Sequence, residues 1–179
     1  PVVDIRCLLQ RRPGAAVTYN AYAAHAILAE MLCRLDKQNR PFREILQDEL
    51  LQPLGMVDTS LSLRPHIAQR RVPIVARFDE SGLFEPEAFN ALNLLVTEEA
   101  EFAAAGAMGT AIDLFRFTEM MRRNGELDGR RYLSRDMVRE ATRNHTGQQP
   151  NDIFAWAREI HDWPDWPAYI GLTFFLRGE

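Results

Sequence analysis

Apolar residues recur at helical spacing in two neighbouring segments in the first third of the chain. In the first segment they are Ala21, Ala24, Ile27, Leu28, Met31 and Leu32. These positions share one face of a helix, and both Thr18 and Asn20 are residue types that favour the position before a helix. We predict a helix that begins between Thr18 and Asn20, buries this face, and holds Tyr19 at its entrance. There Tyr19 either packs on the core with its hydroxyl in water or aims that hydroxyl into a site.

The second segment predicts a helix that begins at Pro41, because proline is favoured at the first helical position. Its apolar positions are Phe42, Ile45, Leu46 and Leu50. Pro53 cannot continue a helix, so we expect the helix to end there and the chain to fold back through Leu54-Gly55-Met56.

Two later segments predict strands. Residues 71–79 alternate apolar and polar positions, with Val72, Ile74 and Ala76 on one side, and residues 171–179 have the composition of a sheet strand. The acidic residues between them, Glu98, Glu99 and Glu101, are interpreted as a solvated face.

Two further helices are predicted after good capping residues. The first follows Thr110, buries Leu114, Phe117 and Met121, and ends at Gly125. Thr110 and Asp113 have the spacing of a capping box, so we interpret Asp113 as a capping residue rather than an acid catalyst. A short helix follows Ser134, with Met137 and Val138 inside it.

Composition and charge argue against several classes of protein and of binding site. The chain has 179 residues, which fits one domain with a real core, and its net charge of -4 gives no basic surface for nucleic acid. Cys7 and Cys33 lack metal-ligand spacing, and no histidine pair supplies it, so metal chemistry is not expected. No apolar run reaches the ~18 residues of a membrane span. The chain does not begin with Met and has no recognisable signal peptide, so a cytoplasmic location is only a default and export stays open.

The order of these motifs resembles the serine β-lactamase/penicillin-binding-protein superfamily, and most of all its class C β-lactamase-like carboxylesterases. The resemblance rests on Pro13-Gly14 followed by Tyr19, on the helix that ends in Pro-Leu-Gly-Met and Asp-Thr, and on residues 106–133, GAMGTAIDLFRFTEMMRRNGELDGRRYL. The last segment is similar to the family's glycine-rich turn, its T-A-x-D-L helix and the hairpin after it. The resemblance covers residues 13–63 and 103–147.

The resemblance implies a site made of three elements: a Ser-x-x-Lys, a Tyr-x-Asn, and a strand with Lys or His before x-Gly. Tyr19 matches the family tyrosine, which relays the proton of the serine. Ala21 stands where many members have Asn, a departure similar to the esterase branch that leaves acyl-ester chemistry plausible and puts β-lactam chemistry in doubt. Residues 60–102 correspond to a region that shapes the acyl pocket, so Phe84, Phe89, Leu92, Leu94 and Leu95 either line it or pack in the core.

No serine of the chain has the features of a nucleophile. The serines are Ser60, Ser62, Ser81 and Ser134. None is followed by lysine three residues later, since the only lysine is Lys37, and none lies in a Gly-x-Ser-x-Gly elbow. Because residues 1–10 resemble the family segment that follows Ser-x-x-Lys, we expect the nucleophile before Pro1. We also expect residues to be missing between Gln10 and Pro13, where the family has a long loop, or that loop to have been lost.

His145-Thr146-Gly147 has two interpretations. It matches the third element as some family members write it, with histidine in place of lysine. It also follows a predicted helix and precedes Gln-Gln-Pro without a strand-like run, which favours a loop after that helix. The preferred interpretation is the loop, and we expect the chain to stop before the third element.

We therefore expect an α+β, β-lactamase/transpeptidase-like fold, mainly the helical lobe with parts of an antiparallel sheet, in an incomplete single domain over residues 1–179. The function implied by the resemblance is that of a serine hydrolase acting on small ester, or amide or β-lactam, substrates through an acyl-enzyme, with Tyr19 as its catalytic residue and no cofactor. The alternative is a catalytically inactive, truncated homologue that binds a ligand or partner. A lobe cut from its sheet would expose apolar surface, which favours a homodimer.

Overall fold

The computed structural model describes Val17 and residues 21–75, 86–149, 151–164, 168–172 and 174–177. The chain divides into two compact units, a central unit, Ala24–Ser134, and a terminal unit that combines Pro1–Ala23 with Arg135–Glu179. The described elements are α1 (Ala21–Leu35), α2 (Phe42–Leu46), a π-helical turn (Gln47–Leu51), α3 (Pro65–Ala68), α4 (Pro86–Leu95), α5 (Ala111–Arg122), β1 (Glu126–Leu127), β2 (Arg130–Arg131), α6 (Arg135–Thr142), α7 (Asp152–His161), β3 (Ala168–Ile170) and β4 (Phe175–Arg177). Helices with two small antiparallel sheets agree with the predicted α+β class.

The core of the central unit forms where the second predicted helix ends. Its buried residues are Leu51, Leu54, Met56, Met120 and Leu127. The N–H of Gln52 donates to the carbonyl of Gln47, five residues back, so the helix widens into the π-helical turn before Pro53. Gly55 then adopts a φ of 73°, which glycine tolerates, and the chain folds back as predicted.

Two side chains from later elements hold this fold-back. The Nε of Arg116 donates to the carbonyl of Leu54 at 2.6 Å, and the hydroxyl of Tyr132 donates to the carbonyl of Pro53 at 2.8 Å. Both carbonyls lie past the end of the helix, where backbone acceptors have no helical partner. The bonds therefore join the end of the π-helical turn to α5 and to the hairpin after it.

α5 presents to the core a face that overlaps only partly with the predicted one. Thr110 caps the helix as expected, but Leu114 is 60% exposed, whereas Met120 is fully buried and Asp113 is buried too. Phe117 and Met121 pack partly against the core, as predicted. The buried face includes polar residues whose side chains bind neighbouring backbone, and an apolar pattern cannot reveal such positions.

The predicted hairpin after α5 is present. β1 and β2 pair antiparallel, with Leu127 opposite Arg130. Gly125 precedes β1 with a φ of 88°, and a Cβ built there would lie 2.2 Å from the carbonyl oxygen of Leu133. Only glycine fits this approach of two backbones.

The predicted burial of the apolar face of α1 is wrong. The exposed fractions are 49% for Leu28, 52% for Met31 and 46% for Leu32. The spacing is helical, as predicted, and the described part of α1 begins at Ala21, directly after residues 18–20, which lie outside the described residues. Periodicity reports which residues share a face, and it does not report whether another element of the same chain covers that face.

The strand predicted at residues 71–79 is also wrong over its described part, residues 71–75, which is not in a strand. The backbone of Ile74 is instead bound by one side chain: Asn93 accepts from its N–H at 2.9 Å and donates to its carbonyl at 2.7 Å. An asparagine amide thus takes the place of a neighbouring strand. Glu98, Glu99 and Glu101 are exposed, as predicted.

The terminal unit contains α6, α7 and the second sheet. β3 pairs antiparallel with β4, with Tyr169 opposite Leu176, so the predicted strand near the end of the chain is confirmed. The predicted short helix is α6 and contains Met137 and Val138 as expected; Val138 is buried and Met137 is 58% exposed. The short helix has a single buried position on its apolar side.

Candidate functional site

Tyr19, the predicted catalytic residue, lies outside the described residues, as do Cys7, Ser81 and residues 10–13. The described residue nearest to Tyr19 on its N-terminal side is Val17, which forms a parallel β-bridge with Asn151. The bridge places Val17 beside the N-terminus of α7, since Asn151 is the capping residue of that helix.

Asn151 was not identified from the sequence as a candidate site residue. The structure shows that its side-chain amide is buried. Its Oδ1 accepts from the N–H of Phe154 at 3.4 Å, which orients the side-chain amide. Its exposed fraction is 7%, and its Nδ2 has no hydrogen-bond partner among the residues that the structure describes. An N-cap asparagine before a helix is a recognisable sequence signal, but a spare amide donor is visible only in the structure.

His145 lies in the loop after α6, which confirms the loop interpretation and not the strand interpretation. Its backbone N–H donates to the carbonyl of Ile170 at 3.0 Å, and its Nε2 lies 2.7 Å from the carbonyl oxygen of Glu140. Both the backbone N–H and the imidazole ring of His145 therefore have hydrogen-bond partners, and the partner of the ring lies in α6.

The two motifs of the central unit, Asp-Thr after Pro-Leu-Gly-Met and the glycine-rich turn before α5, are joined directly. Ser60 and Met108 exchange two backbone hydrogen bonds, each of 2.9 Å. A Cβ built on Gly109 would lie 2.6 Å from the Oγ1 of Thr59. The glycine therefore lets the two segments approach within contact distance.

The carboxylate of Asp113 completes this junction. It accepts from the N–H of Asp58 at 2.9 Å and from the hydroxyl of Thr59 at 2.8 Å. The N–H of Asp113 donates to the hydroxyl of Thr110, so the predicted capping interaction is present. Asp113 is buried, and its Oδ2 accepts both of these hydrogen bonds. It orients the junction and is poorly placed to exchange protons with a substrate.

A cavity of about 320 Å³ opens beside the junction, within the size range of small-molecule sites. Asp58, Met108 and Thr110 contribute to its wall from the junction itself. Of the five apolar residues proposed for an acyl pocket, Leu92 lines the cavity and Leu94 is 80% exposed. The other three are Phe84, Phe89 and Leu95, and their side chains are not among those that the structure describes.

Two arginines line the cavity with different partners. Arg70 forms a two-pronged ion pair with Asp58, with contacts of 2.6 and 3.0 Å. This hydrogen-bonded guanidinium holds the pKa of the Asp58 carboxyl below its ordinary value. Arg71 instead donates through one nitrogen to the backbone carbonyl of Asn93 at 2.8 Å and to its side-chain oxygen at 3.2 Å.

Ser60, Ser62 and Cys33 are not arranged for nucleophilic attack. Ser60 and Ser62 are 3% and 2% exposed, and the hydroxyl of Ser60 donates to the carbonyl of Ser62. Cys33 is a free thiol, and burial, followed by the nearby Glu101, Glu30 and Asp36 charges, raises its pKa. A raised pKa keeps the thiol protonated at neutral pH, which is the inert form that the sequence predicts.

Within the described ranges, no group of three or more His, Cys, Asp and Glu side chains is placed to hold a metal ion. In the same part of the chain, no helix combines the length and the apolar character needed to cross a membrane.

Two proteins of Mycobacterium tuberculosis match 94% of this chain at 32% identity: Uncharacterized protein MT1414 of strain CDC 1551 / Oshkosh and Protein Rv1367c of strain H37Rv. The chain spans 38% of the length of each.

Solved structures share the fold. A penicillin-binding protein homologue from Caulobacter crescentus is 19% identical, with a TM-score of 0.58, over 90% of this chain and 43% of its own. The octameric penicillin-binding protein homologue from Pyrococcus abyssi is 14% identical, with a TM-score of 0.63, over 96% of this chain and 32% of its own. EstCE1, a hydrolase with promiscuous acyltransferase activity, is 18% identical, with a TM-score of 0.60, over 96% of this chain and 43% of its own.

These likenesses agree with the predicted α+β, β-lactamase/transpeptidase-like fold. The family model described as Beta-lactamase matches residues 6–174. A match of that length covers both units and every motif on which the resemblance rested, and the chain therefore belongs to the beta-lactamase family.

Proposed function

We propose that residues 1–179 are part of one serine hydrolase domain that cleaves ester bonds through an acyl-enzyme. The observation that carries the proposal is membership of the beta-lactamase family over residues 6–174. Ala21 in place of the family asparagine favours an ester substrate over a β-lactam, and EstCE1, which shares the fold, is a hydrolase with promiscuous acyltransferase activity.

In this proposal the nucleophile is the serine of a Ser-x-x-Lys segment outside the present chain. The serine oxygen attacks the substrate carbonyl, and Tyr19 takes its proton and passes it to the leaving alcohol. Backbone N–H groups stabilise the oxyanion, and water then releases the acyl group as a carboxylic acid. The buried Ser60 and Ser62 leave this role to a residue elsewhere.

The competing function is a non-catalytic family member that binds a ligand or partner. It is supported by the lack of a recognisable nucleophile in the sequence and by the cavity beside the Asp113 junction. The two functions make opposite predictions for turnover, so one assay separates them.

The assay is hydrolysis of a series of p-nitrophenyl esters by the complete gene product, followed by release of nitrophenolate. We expect turnover that falls by at least a hundredfold in Tyr19→Phe, because the hydroxyl that relays the proton is removed. Tyr169→Phe is the control and should keep the parental rate, since among the described residues the Tyr169 hydroxyl makes only a 3.4 Å contact with Gln148. A folded protein with no rate above background would favour the non-catalytic function.

We also propose that the chain forms a homodimer through the exposed face of α1. Leu28, Met31 and Leu32 are each about half exposed on one side of that helix, and covering such side chains is favourable. Light scattering after size exclusion tests this. Leu32→Gln should shift the protein toward monomer, and an unchanged oligomeric state would exclude this face as the interface.

A further inference from the structure

The cavity of the central unit contains a positive charge that no carboxylate of the described residues neutralises. Arg70 is paired with Asp58, so those two charges cancel. Arg71 forms no ion pair with any residue that the structure describes, and its one engaged nitrogen binds the neutral Asn93. Of the five guanidinium N–H donors, the three on the other two nitrogens remain without an acceptor in the described part of the chain.

The position of Arg71 is fixed from both sides. Its own bond to the carbonyl of Asn93 is 2.8 Å long, and Asn93 in turn binds both the N–H and the carbonyl of Ile74. Residues 71–75 are thus held against the C-terminal end of α4. A guanidinium fixed in this way loses little conformational freedom when it binds an anion.

The rest of the cavity wall is largely apolar. It includes Ile67, Val72, Ile74, Leu92, Val96 and Met108. Ile67 is buried, and the side chains of Leu92 and Val96 are partly buried. A pocket with apolar walls and one unneutralised cation matches a ligand with an apolar body and one negative charge.

We propose that this cavity binds a monocarboxylate with a short aliphatic tail, with the carboxylate on Arg71 and the tail against the apolar wall. Because Asp58 and Arg70 neutralise each other, Arg71 leaves one positive charge for a ligand, so a phosphate monoester with its second negative charge is a poorer match. The proposal does not depend on hydrolase activity and holds equally for a non-catalytic protein.

Calorimetric titration of the full chain with ligands that share an eight-carbon tail tests the charge requirement. We expect octanoate to bind at least tenfold more tightly than octanol or octyl phosphate, and octylammonium not to bind. Equal affinities for octanoate and octanol would overturn the proposal, because the tail alone would then account for binding. Tighter binding of octyl phosphate would overturn the choice of a carboxylate.

Substitutions of Arg71 then test whether this residue binds the carboxylate. Arg71→Gln should weaken octanoate at least tenfold and leave octanol unchanged, whereas Arg71→Lys should retain part of the preference for octanoate. Arg139→Gln, on the exposed side of α6, is the matched control, since the side chain of Arg139 is 72% exposed and outside the cavity. If Arg71→Gln does not fold, perturbation of the Ile67 and Ile74 methyl resonances by octanoate in the parental protein decides the location. Unchanged methyl resonances, or unchanged affinity in a folded Arg71→Gln, would refute the site.

Discussion

The hydroxyl of Thr59 donates to the carboxylate of Asp113 at 2.8 Å, and these two residues are 54 positions apart in the chain. The same carboxylate accepts from the N–H of Asp58. One buried acid on α5 therefore fixes the segment that follows Pro-Leu-Gly-Met. It also fixes the wall of the cavity that includes Asp58.

Asp113→Ala should destabilise the central unit by about 3 kcal/mol, because it leaves the donors of Asp58 and Thr59 without an acceptor. Asp113→Asn should cost less, since the amide keeps one acceptor oxygen. Denaturant unfolding measures both free energies. Asp136→Ala, whose side chain is 78% exposed, controls for loss of a carboxylate at the surface. If Asp113→Ala costs no more than Asp136→Ala, the junction does not carry the stability assigned to it.

Asn93→Ala should speed amide hydrogen exchange at Ile74. The Asn93 side chain is the acceptor for that N–H and the donor to that carbonyl, so its loss releases the Ile74 backbone from α4. Exchange followed by NMR at single-residue resolution measures the change. Asn90→Ala, at an exposed position of the same helix, should leave the rate at Ile74 unchanged. Equal rates in the two variants would contradict the bonding seen here.

Glu119 should make stability depend on pH in the acid range. Hydrogen bonds from Arg122 and Arg123 lower its pKa to about 2 from an ordinary value of 4.5. A lowered folded-state pKa means that the carboxylate contributes stability above about pH 4.5, and the contribution is lost as pH falls toward 2. Glu119→Gln should remove this part of the pH dependence of the unfolding free energy. Glu98→Gln, at an exposed position, should retain it.

Gly125→Ala and Gly129→Ala separate steric conflict from backbone strain. Both glycines have positive φ, 88° and 74°, but a Cβ at Gly125 would meet the Leu133 carbonyl oxygen at 2.2 Å, and one at Gly129 would meet nothing within 4 Å. Gly129→Ala should therefore cost only the strain of the left-handed conformation, about 1 kcal/mol. Gly125→Ala should cost at least about 2 kcal/mol more. Similar unfolding temperatures for the two variants would contradict the close approach at Gly125.

Sequence patterns predicted most of the helices and the hairpin, because their boundaries are set by local chemistry. Thr110 caps α5, and Gly125 supplies the turn conformation that the hairpin requires. Such signals depend on one or two residues and their immediate neighbours. They hold whatever the rest of the chain does.

The predictions failed where contacts with a segment far away in the sequence determine the local structure. The inward face of α5 includes Asp113 and Arg116, whose polar side chains bind the backbone at Asp58 and Leu54. Residues 71–75 have the alternation of a strand, but the Asn93 amide satisfies the Ile74 backbone. In both cases a side chain far away in the sequence replaces the partner that the pattern presupposes. The cavity follows from the same long-range contacts, as does Arg71, which has no ion pair within the described part of the chain, so the sequence could not reveal them.

The number of residues in the π-helical turn at Gln47–Leu51 is fixed, because its backbone hydrogen bond joins residues five positions apart. An insertion or deletion of one residue that broke its bond between Gln52 and Gln47 would rotate the residues that follow by about 100°. Leu54 would swing away from the core, and its carbonyl would move out of reach of Arg116. Many side chains can therefore be exchanged in this turn, but a one-residue insertion or deletion there would uncouple α2 from the remainder of its unit.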